Sequence, residues 1–162
     1  GISGNRVATD SYPGDGVSAR TGGVSALHRL DRDVLAQTSA RTVIVFEGVN
    51  DLRSQAAAQE VVAGLREIAD RGHARGLRML VATILPCEGE ALCTAAVDAE
   101  RGAVNGWIRE TALFDGVLDF DGVVRDPAHP ARMLPAYDSG DHLHPGDVGL
   151  AALARSVDLG LL

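Results

Sequence analysis

Asp141 and His144 are the residues of this sequence whose types and spacing best suit acid–base chemistry. An aspartate that accepts a hydrogen bond from one imidazole nitrogen leaves the other nitrogen free to act as a general base. Pro145 suits the first turn of a following helix, so His144 would be held at the start of that helix. In a structural alternative, Asp141 caps the helix, and His142 and His144 are polar loop residues. The pair therefore indicates half of a hydrolytic triad, provided that other parts of the chain supply the rest.

The composition favours a single globular domain over residues 1–162 and argues against two classes of partner. The formal charge of −7 disfavours nucleic acid, because phosphate binding needs a basic face, and only 4% of the residues are aromatic. Hydrophobic residues make up 46% of the chain, which is enough for a core. They never form the run of about 18 apolar residues that a membrane-spanning helix needs, so no transmembrane segment is expected.

Cys87 and Cys93, the two cysteines, are separated by five residues. This spacing misses the C-x-x-C pattern of zinc and redox sites. The two residues could form one local disulfide in an exported protein, or they could remain two unpaired thiols. The sequence has no signal-peptide pattern and does not begin with Met, so we expect a mature, cleaved or truncated product.

Apolar runs and helical periodicities alternate along the chain and predict an α/β fold with a parallel sheet. Continuous apolar and β-branched runs predict buried strands at residues 42–46, 77–85 and 116–120. Apolar residues at intervals of three and four predict helices at residues 24–37, 56–74, 94–113 and 148–162. The remaining segments are interpreted as turns, loops or irregular chain, namely residues 1–23, 48–51, 87–92 and 121–138.

The polar segments that follow the predicted strands would meet at one edge of the sheet, where open α/β folds bind their ligands. Residues 48–51 follow the first strand, residues 87–90 follow the second, and Asp141 and His144 lie in the loop after the third. Residues 1–5 would follow an earlier strand that this sequence does not contain. Four loops that converge on one edge make a stronger case for a site than any one of them.

Three of these segments resemble sequence blocks of the SGNH hydrolases, the GDSL-type esterases and lipases. They are similar to the family's second, third and fifth blocks and read Gly1-Ile2-Ser3-Gly4-Asn5, Gly48-Val49-Asn50-Asp51 and Asp141-His142-Leu143-His144. The resemblance spans nearly the whole chain and implies a flavodoxin-like three-layer α/β/α sandwich with a parallel sheet. It also implies an oxyanion hole formed by the Gly4 amide and the Asn50 side chain, and a triad that contains Asp141 and His144. It implies no metal and no organic cofactor.

The sequence departs from the family pattern at the nucleophile, because it contains no Gly-Asp-Ser block. Thr9-Asp10-Ser11 is the nearest triplet, but it follows the Gly block and no strand precedes it, so we interpret it as a turn. Ser139 is too close to Asp141 to come from a separate strand and is expected to be a loop hydroxyl. We therefore expect an N-terminally truncated domain, with the nucleophile and the first two strands upstream. Residues 42–46 would then present an unpaired strand edge.

The resemblance predicts a carboxylic ester hydrolase whose substrate is an acetylated sugar, a short acyl ester or a lipid. The chain alone is predicted to be inactive, and an upstream fragment of the same protein is a predicted partner. Two other functions are considered, a non-catalytic module and a metal site formed by Asp141, His142 and His144, for which the sequence offers no well-spaced fourth ligand. Because the family is often exported, secretion is favoured over a cytoplasmic location. A disulfide between Cys87 and Cys93 is expected if the protein is secreted.

Several other residues receive structural interpretations. Structural roles are expected for Glu47 and Asp51, a core position for Trp107, and surface positions for His28, His73 and His129. Three residues near the Asp–His pair could line an acyl or alcohol pocket or could equally face solvent, namely Tyr137, His142 and Leu143.

Overall fold

Three parallel strands form the central sheet in the computed structural model, which describes residues 6–8, 10 and 23–162. The strands are β1 (Thr42–Val45), β2 (Arg78–Ala82) and β3 (Gly116–Leu118), and they are arranged in the order β1-β2-β3. Ile44 pairs with Leu80, which pairs in turn with Gly116. The predicted α/β class with a parallel sheet is confirmed.

Six α-helices connect and cover the strands in the described part of the chain. A turn of π-helix, Asp31–Leu35, continues the first helix, and a turn of 3₁₀-helix, Leu159–Leu161, follows the last. The helices are α1 (Ala26–Leu30), α2 (Val49–Arg53), α3 (Ala58–His73), α4 (Ala95–Glu110), α5 (Phe120–Val124) and α6 (Asp147–Ser156).

The two long helices, α3 and α4, begin where the sequence supplies caps. The Glu60 side chain accepts a hydrogen bond from the Ala57 amide at the start of α3, and the Thr94 hydroxyl accepts one from the Val97 amide at the start of α4. Beyond the end of α3, Gly76 adopts a φ of +71°, which favours glycine. These local signals explain why both helices were predictable from the sequence.

Helices lie on both faces of the sheet, because neighbouring residues of a strand point to opposite sides. Val81 belongs to an apolar cluster that includes residues of α3 and α4. Ala82, the next residue, belongs to a second cluster that includes Leu118 and residues of α5 and α6. The flavodoxin-like three-layer arrangement is therefore confirmed. Trp107 is half-buried at the edge of the first cluster, where its ring meets that of Phe114.

The prediction that residues 121–138 are irregular is wrong in part. The segment contains most of α5 and two antiparallel strands, β4 (Arg125–Asp126) and β5 (His129–Met133). The Asp126 side chain accepts a hydrogen bond from the Ala128 amide and stabilises the turn between these strands. Prolines in and around such short strands hide the alternating pattern on which sequence reasoning depends.

Two other boundaries differ from the prediction. Residues 48–51 were expected to form a turn, but Val49–Arg53 is helical because Gly48 reverses the chain with a φ of +120°. The last helix ends at Ser156 instead of residue 162. None of the helices in the described residues has the length and apolarity needed to cross a membrane.

Strand β1 lies at the edge of the sheet, since β2 is the strand that pairs with it among the described residues. Ile44 lies on this strand and Phe46 lies just after it. Their side chains are 45% and 44% exposed, which is high for apolar residues of a sheet. The Phe46 ring makes an edge contact with the Phe120 ring, with 5.2 Å between the centroids. This exposed apolar edge agrees with the expectation for residues 42–46.

Cys87 and Cys93 form a disulfide, and their Cα atoms lie 5.8 Å apart. The expected pairing is thus present, and the alternative of two unpaired thiols is wrong. The bridge closes a short loop that follows β2 at the carboxyl edge of the sheet. The Glu88 amide in this loop donates a hydrogen bond to the Ala131 carbonyl, which joins the loop to β5.

The disulfide should contribute to stability by restricting the unfolded chain. Replacing both residues, Cys87→Ser with Cys93→Ser, is expected to lower the free energy of unfolding by about 2 kcal/mol, as loop-closure entropy predicts for a loop of this length. Urea denaturation without reductant measures the difference. Adding reductant should lower the stability of the unsubstituted chain to that of the variant and leave the variant unchanged. Equal stabilities without reductant would contradict the bond.

Candidate active site

The loop between β5 and α6 carries the predicted Asp–His pair and is closed by backbone hydrogen bonds at its two ends. The Ser139 amide donates to the His144 carbonyl over 3.0 Å, and the Gly146 amide donates to the Tyr137 carbonyl over 2.7 Å. His142, in the middle of the loop, has a φ of +62°, which few residues other than glycine adopt. The loop therefore has a defined shape, and α6 begins directly after it at Asp147.

Asp141 and His144 are in direct contact, with 2.6 Å between Asp141 Oδ2 and His144 Nδ1. The other carboxylate oxygen, Oδ1, accepts hydrogen bonds from the Leu143 and His144 amides and from the Ser139 hydroxyl. These three donors fix the carboxylate, so its second oxygen can fix the ring. With Nδ1 donating to Asp141, the neutral ring carries its lone pair on Nε2, where a general base needs it.

The pKa of Asp141 is held well below its usual range. Partial burial works in the opposite direction, but the hydrogen bonds from the His144 amide and ring, the Leu143 amide and the Ser139 hydroxyl outweigh it. A carboxylate that accepts several hydrogen bonds is stabilised in its charged form. Asp141 is therefore ionised throughout the pH range in which an imidazole titrates.

A second Asp–His pair, Asp138 and His142, lies in the same loop. Asp138 Oδ2 is 2.6 Å from His142 Nδ1, and Asp138 Oδ1 accepts hydrogen bonds from the Gly140 and His142 amides. The His142 ring lies against Gly89 of the disulfide loop, so closely that a Cβ at Gly89 would come within 2.8 Å of His142 Cγ. His142 thus joins two loops.

An Asp–His contact is not by itself a sign of catalysis in this chain, because four of the five histidines make one. His28 contacts Asp10, and His73 contacts Asp115, in each case over 3.0 Å at the surface. The expected surface positions of His28, His73 and His129 are confirmed. Asp141 and His144 are distinguished from the other pairs by their place in the loop and by the family pattern.

Asn50 lies in the first turn of α2, at the carboxyl edge of the sheet. Gly48 allows the sharp reversal between β1 and this helix, and a Cβ there would come within 2.8 Å of Ile84 Cδ1. Asn50 Oδ1 accepts a hydrogen bond from Arg53 Nη1 over 2.9 Å. The side-chain amide of Asn50 is thus oriented by a neighbour one helical turn away.

Asp51 is 2% exposed and anchors the segment that follows the Gly block. Its carboxylate accepts hydrogen bonds from the Val7 amide over 2.7 Å and from the Ala8 amide over 3.2 Å. Burial raises the pKa of Asp51, although these amide hydrogen bonds oppose the shift. The role is structural, as expected. Gly4 lies outside the described residues, and so does the rest of the predicted Gly block.

Glu47, just after β1, carries a second carboxyl group, which is half-buried. Burial raises its pKa to about 7, with the charge of Asp51 acting in the same direction and the Arg29 guanidinium opposing it. Arg29 Nη2 lies 3.0 Å from Glu47 Oε1. Because the folded chain holds this proton more tightly than the unfolded chain, Glu47 lowers stability as the pH rises from about 4.5 to about 7.

Arg53 and Glu90 connect α2 to the disulfide loop by a two-pronged ion pair. Arg53 Nε donates to Glu90 Oε2 over 3.0 Å, and Arg53 Nη2 donates to Glu90 Oε1 over 2.9 Å. Three contacts thus join four segments in series, namely Asp51 with residues 6–8, Arg53 with Glu90, and Gly89 with His142. The segments that were predicted to converge after the three strands therefore meet at the carboxyl edge of the sheet.

Sequence reasoning missed Arg53, Glu90 and Asp138. The spacing of Asn50 and Arg53, three residues apart, was the one available signal, because such residues are neighbours on a helix. Nothing in the sequence indicates that Glu90 meets Arg53 over a separation of 37 residues. Asp138 stands four residues before His142, and without the structure it is as plausible a partner as Asp141 is for His144.

Of the two serines considered as nucleophiles, Ser139 lies within the described residues. Ser139 Oγ lies 2.9 Å from Asp141 Oδ1, where it holds the carboxylate as a loop hydroxyl. Ser11 lies outside the described residues. Asp10 accepts a hydrogen bond from the Ser25 amide and contacts His28, so its side chain is held at the start of α1.

The alternative of a metal site gains no support from the described residues. Within residues 6–8, 10 and 23–162, no three His, Cys, Asp or Glu side chains gather closely enough to hold a metal ion. The side chains of Asp141, His142 and His144 are instead committed to two separate Asp–His pairs.

Comparisons with known proteins agree with this fold. The chain is similar to a GDSL-like lipase from Bacteroides thetaiotaomicron, with 18% identity, a TM-score of 0.69, and coverage of 83% of this chain and 68% of that one. It is also similar to a catalytic mutant of an acetylxylan esterase from Geobacillus stearothermophilus, with 23% identity, a TM-score of 0.59, and coverage of 81% and 63%. This chain thus spans about two thirds of the length of these proteins. No curated protein matches it significantly.

A match to a family model identifies the family, whereas the distant structural similarities show the fold alone. The model of the GDSL-like lipase/acylhydrolase family matches residues 1–152, which is nearly the whole chain. This match includes the Gly block, the Gly48–Asp51 segment and the Asp141–His144 segment. The chain therefore belongs to the GDSL-like lipase/acylhydrolase family.

Proposed function

We propose that this chain supplies most of the active site of a serine ester hydrolase, with His144 as the general base and Asp141 as its orienting partner. The observation that carries the proposal is the position of this pair: the Asp141–His144 segment lies within the family match, and the carboxylate that contacts the ring over 2.6 Å has its other oxygen held by three donors. An immobilised carboxylate keeps the ring in one orientation and stabilises the imidazolium that forms during the reaction.

Asn50 and Gly4 are the proposed donors to the oxyanion. Asn50 lies at the start of α2, at the same edge of the sheet as the disulfide loop and the Asp–His loop. Its amide oxygen faces Arg53, which turns the amide nitrogen to the other side. Gly4 would contribute its backbone amide, and the Asp51 carboxylate holds the chain just after it through Val7 and Ala8. Donors held in advance stabilise the charge that develops on the carbonyl oxygen.

The proposed nucleophile is a serine on an upstream segment of the protein. Two observations support this placement: the family's Gly-Asp-Ser block is absent from the sequence, and β1 presents an exposed apolar edge where another strand could pair. A strand added there would deliver a residue at its carboxyl end to the same edge as Asn50 and His144.

The reaction then follows two steps. His144 Nε2 takes the proton of the serine hydroxyl as the serine oxygen attacks the ester carbonyl, and the imidazolium returns that proton to the departing alcohol. Water attacks the resulting acyl-serine with His144 again as the base, which releases the carboxylic acid and frees the serine. Gly4 and Asn50 stabilise the oxyanion in both steps. The ester itself is an acetylated sugar, a short acyl ester or a lipid, and p-nitrophenyl acetate serves as a probe of this class.

Asn50→Ala should lower kcat by about 10²–10³ in the extended enzyme, by which we mean this chain joined to the upstream segment that carries the Ser. The change in KM should be smaller, because an oxyanion donor acts mainly in the transition state. Steady-state hydrolysis of p-nitrophenyl acetate measures both constants. An unchanged kcat in this variant would show that Asn50 does not stabilise the oxyanion.

The activity of the extended enzyme should fall on acidification, because an imidazole base must be neutral to accept a proton. Asp141 stays ionised under these conditions, so kcat/KM should decline with a single limb, about tenfold per pH unit, once the base is protonated. A pH–rate profile from pH 4 to 9 measures this limb. A flat profile down to about pH 4 would indicate another base.

Glu47 requires a control in that experiment, since its pKa of about 7 lies within the pH range of the profile. Glu47→Gln should keep the acid limb, because the limb belongs to the base and not to this half-buried carboxyl group. Loss of the limb in Glu47→Gln would assign the titration to Glu47.

The present chain alone should have little or no esterase activity, because the proposed serine nucleophile lies on the upstream segment. Adding the upstream segment should restore turnover and should also cover the apolar edge at β1. The assay compares the chain with and without the segment on p-nitrophenyl acetate, with a Ser-to-Ala version of the segment as the control. Clear turnover by the chain alone that is abolished by Ser139→Ala or Ser11→Ala would overturn the upstream assignment.

A further inference from the structure

Asn50, Arg53 and Glu90 form a continuous set of hydrogen bonds from the proposed oxyanion donor to the disulfide loop. Arg53 uses three of its nitrogens in this set, with Nη1 donating to Asn50 and the Nε–Nη2 fork donating to Glu90. Arg53 is 9% exposed and Glu90 is 16% exposed, measured on their side chains. A guanidinium held at both ends has little freedom to rotate.

Arg53 determines which end of the Asn50 amide faces it. A guanidinium has donors and no acceptor, so the amide group that meets it must be the oxygen. The amide nitrogen, with its two hydrogens, is then directed to the opposite side. Losing Arg53 would remove this preference for the oxygen, and an amide rotated by half a turn has almost the same shape. The rotated amide would present a carbonyl oxygen to the developing oxyanion, which replaces an attraction by a repulsion.

Glu90 in turn fixes the guanidinium. Its two oxygens match the fork of Arg53, and Oε2 also accepts a hydrogen bond from the Leu92 amide. Partial burial works in the other direction, but the hydrogen bonds from Arg53 and from the Leu92 amide hold the pKa of Glu90 below its usual range, so the pair stays charged. Glu90 and Leu92 both lie between the bonded cysteines. The closed loop therefore limits the movement of Glu90 relative to α2.

We propose that Arg53 is a positioning residue for the reaction, and that it aims the Asn50 amide nitrogen at the oxyanion while Glu90 of the disulfide loop holds the guanidinium in place. The inference rests on the proposed function, because it needs Asn50 to act as an oxyanion donor. Arg53 itself does not touch the reacting atoms.

A purely structural ion pair makes different predictions. If the Arg53–Glu90 pair serves stability alone, its removal lowers the melting temperature and leaves kcat and KM of the folded enzyme unchanged. If Arg53 positions Asn50, its removal lowers kcat with little change in KM, and the effect requires Asn50 to be present. A double-mutant cycle separates these two cases.

The experiment uses four forms of the extended enzyme, namely the unsubstituted protein, Asn50→Ala, Arg53→Met and the double variant. Arg53→Met should lower kcat on p-nitrophenyl acetate by about 10–100-fold, as expected when a reacting group is misplaced, and should change KM less than twofold. The double variant should be no slower than Asn50→Ala alone. Arg53→Lys, which retains one donor toward Asn50, should restore part of the loss.

Arg109→Met is the matched control, because Arg109 makes the same kind of fork with Asp119 at a place where we assign no function. Its Nε lies 3.1 Å from Asp119 Oδ2, and its Nη2 lies 2.6 Å from Asp119 Oδ1. This variant should lower the melting temperature and leave kcat unchanged. If Arg53→Met does not fold because Glu90 is left unpaired, the cycle is run with Arg53→Met combined with Glu90→Gln.

The outcomes distinguish the inference from the function on which it rests. If Asn50→Ala leaves kcat unchanged, the oxyanion assignment fails, and the positioning role fails with it. If Asn50→Ala slows the enzyme but Arg53→Met does not, or if the two losses multiply in the double variant, the inference is overturned while the proposed function stands. A loss of kcat in Arg53→Met that disappears when Asn50 is already alanine supports it.

Discussion

The parallel pairing of β1, β2 and β3 is the constraint on which the rest of the site depends. Because the three strands run in the same direction, the segments that follow them all leave the sheet at one edge. Helix α2, the disulfide loop and the path to the Asp–His loop therefore start side by side, although they are far apart in the sequence. An antiparallel strand in this sheet would send its following loop to the opposite end and remove one member of the site.

Polar contacts then convert proximity into a fixed arrangement. Asp51 is buried and accepts hydrogen bonds from two backbone amides, and Arg53 and Glu90, which are half-buried, form a two-pronged ion pair. Leaving Asp51 without its partners would cost the desolvation penalty of a buried charge, and separating Arg53 from Glu90 would cost a smaller part of that penalty. The same contacts that stabilise the loops therefore also specify their relative positions. Catalytic groups held on such supports need little reorganisation during a reaction.

How much of this could be predicted from the sequence depends on the range of the interaction. The strands and the two long helices were predictable, because apolar periodicity and caps such as Thr94 are local signals. The family blocks likewise indicated Asn50, Asp141 and His144 by residue type and order. Local patterns could not reveal the Arg53–Glu90 pair, which joins residues 37 positions apart, or the antiparallel strands β4 and β5. The site roles of Gly4, Asn50, Asp141 and His144 all stay predictions, and Gly4 also lies outside the described residues.

The choice between the two Asp–His pairs of one loop is the central question about the site. Asp138–His142 and Asp141–His144 have the same contact distance, but only the second follows the family's order. The most direct test compares His144→Gln with His142→Gln in the extended enzyme. The account predicts that His144→Gln lowers kcat by about 10⁴ or more, as expected for a triad base, while His142→Gln retains kcat within about tenfold. A severe loss in His142→Gln with activity retained in His144→Gln would contradict it.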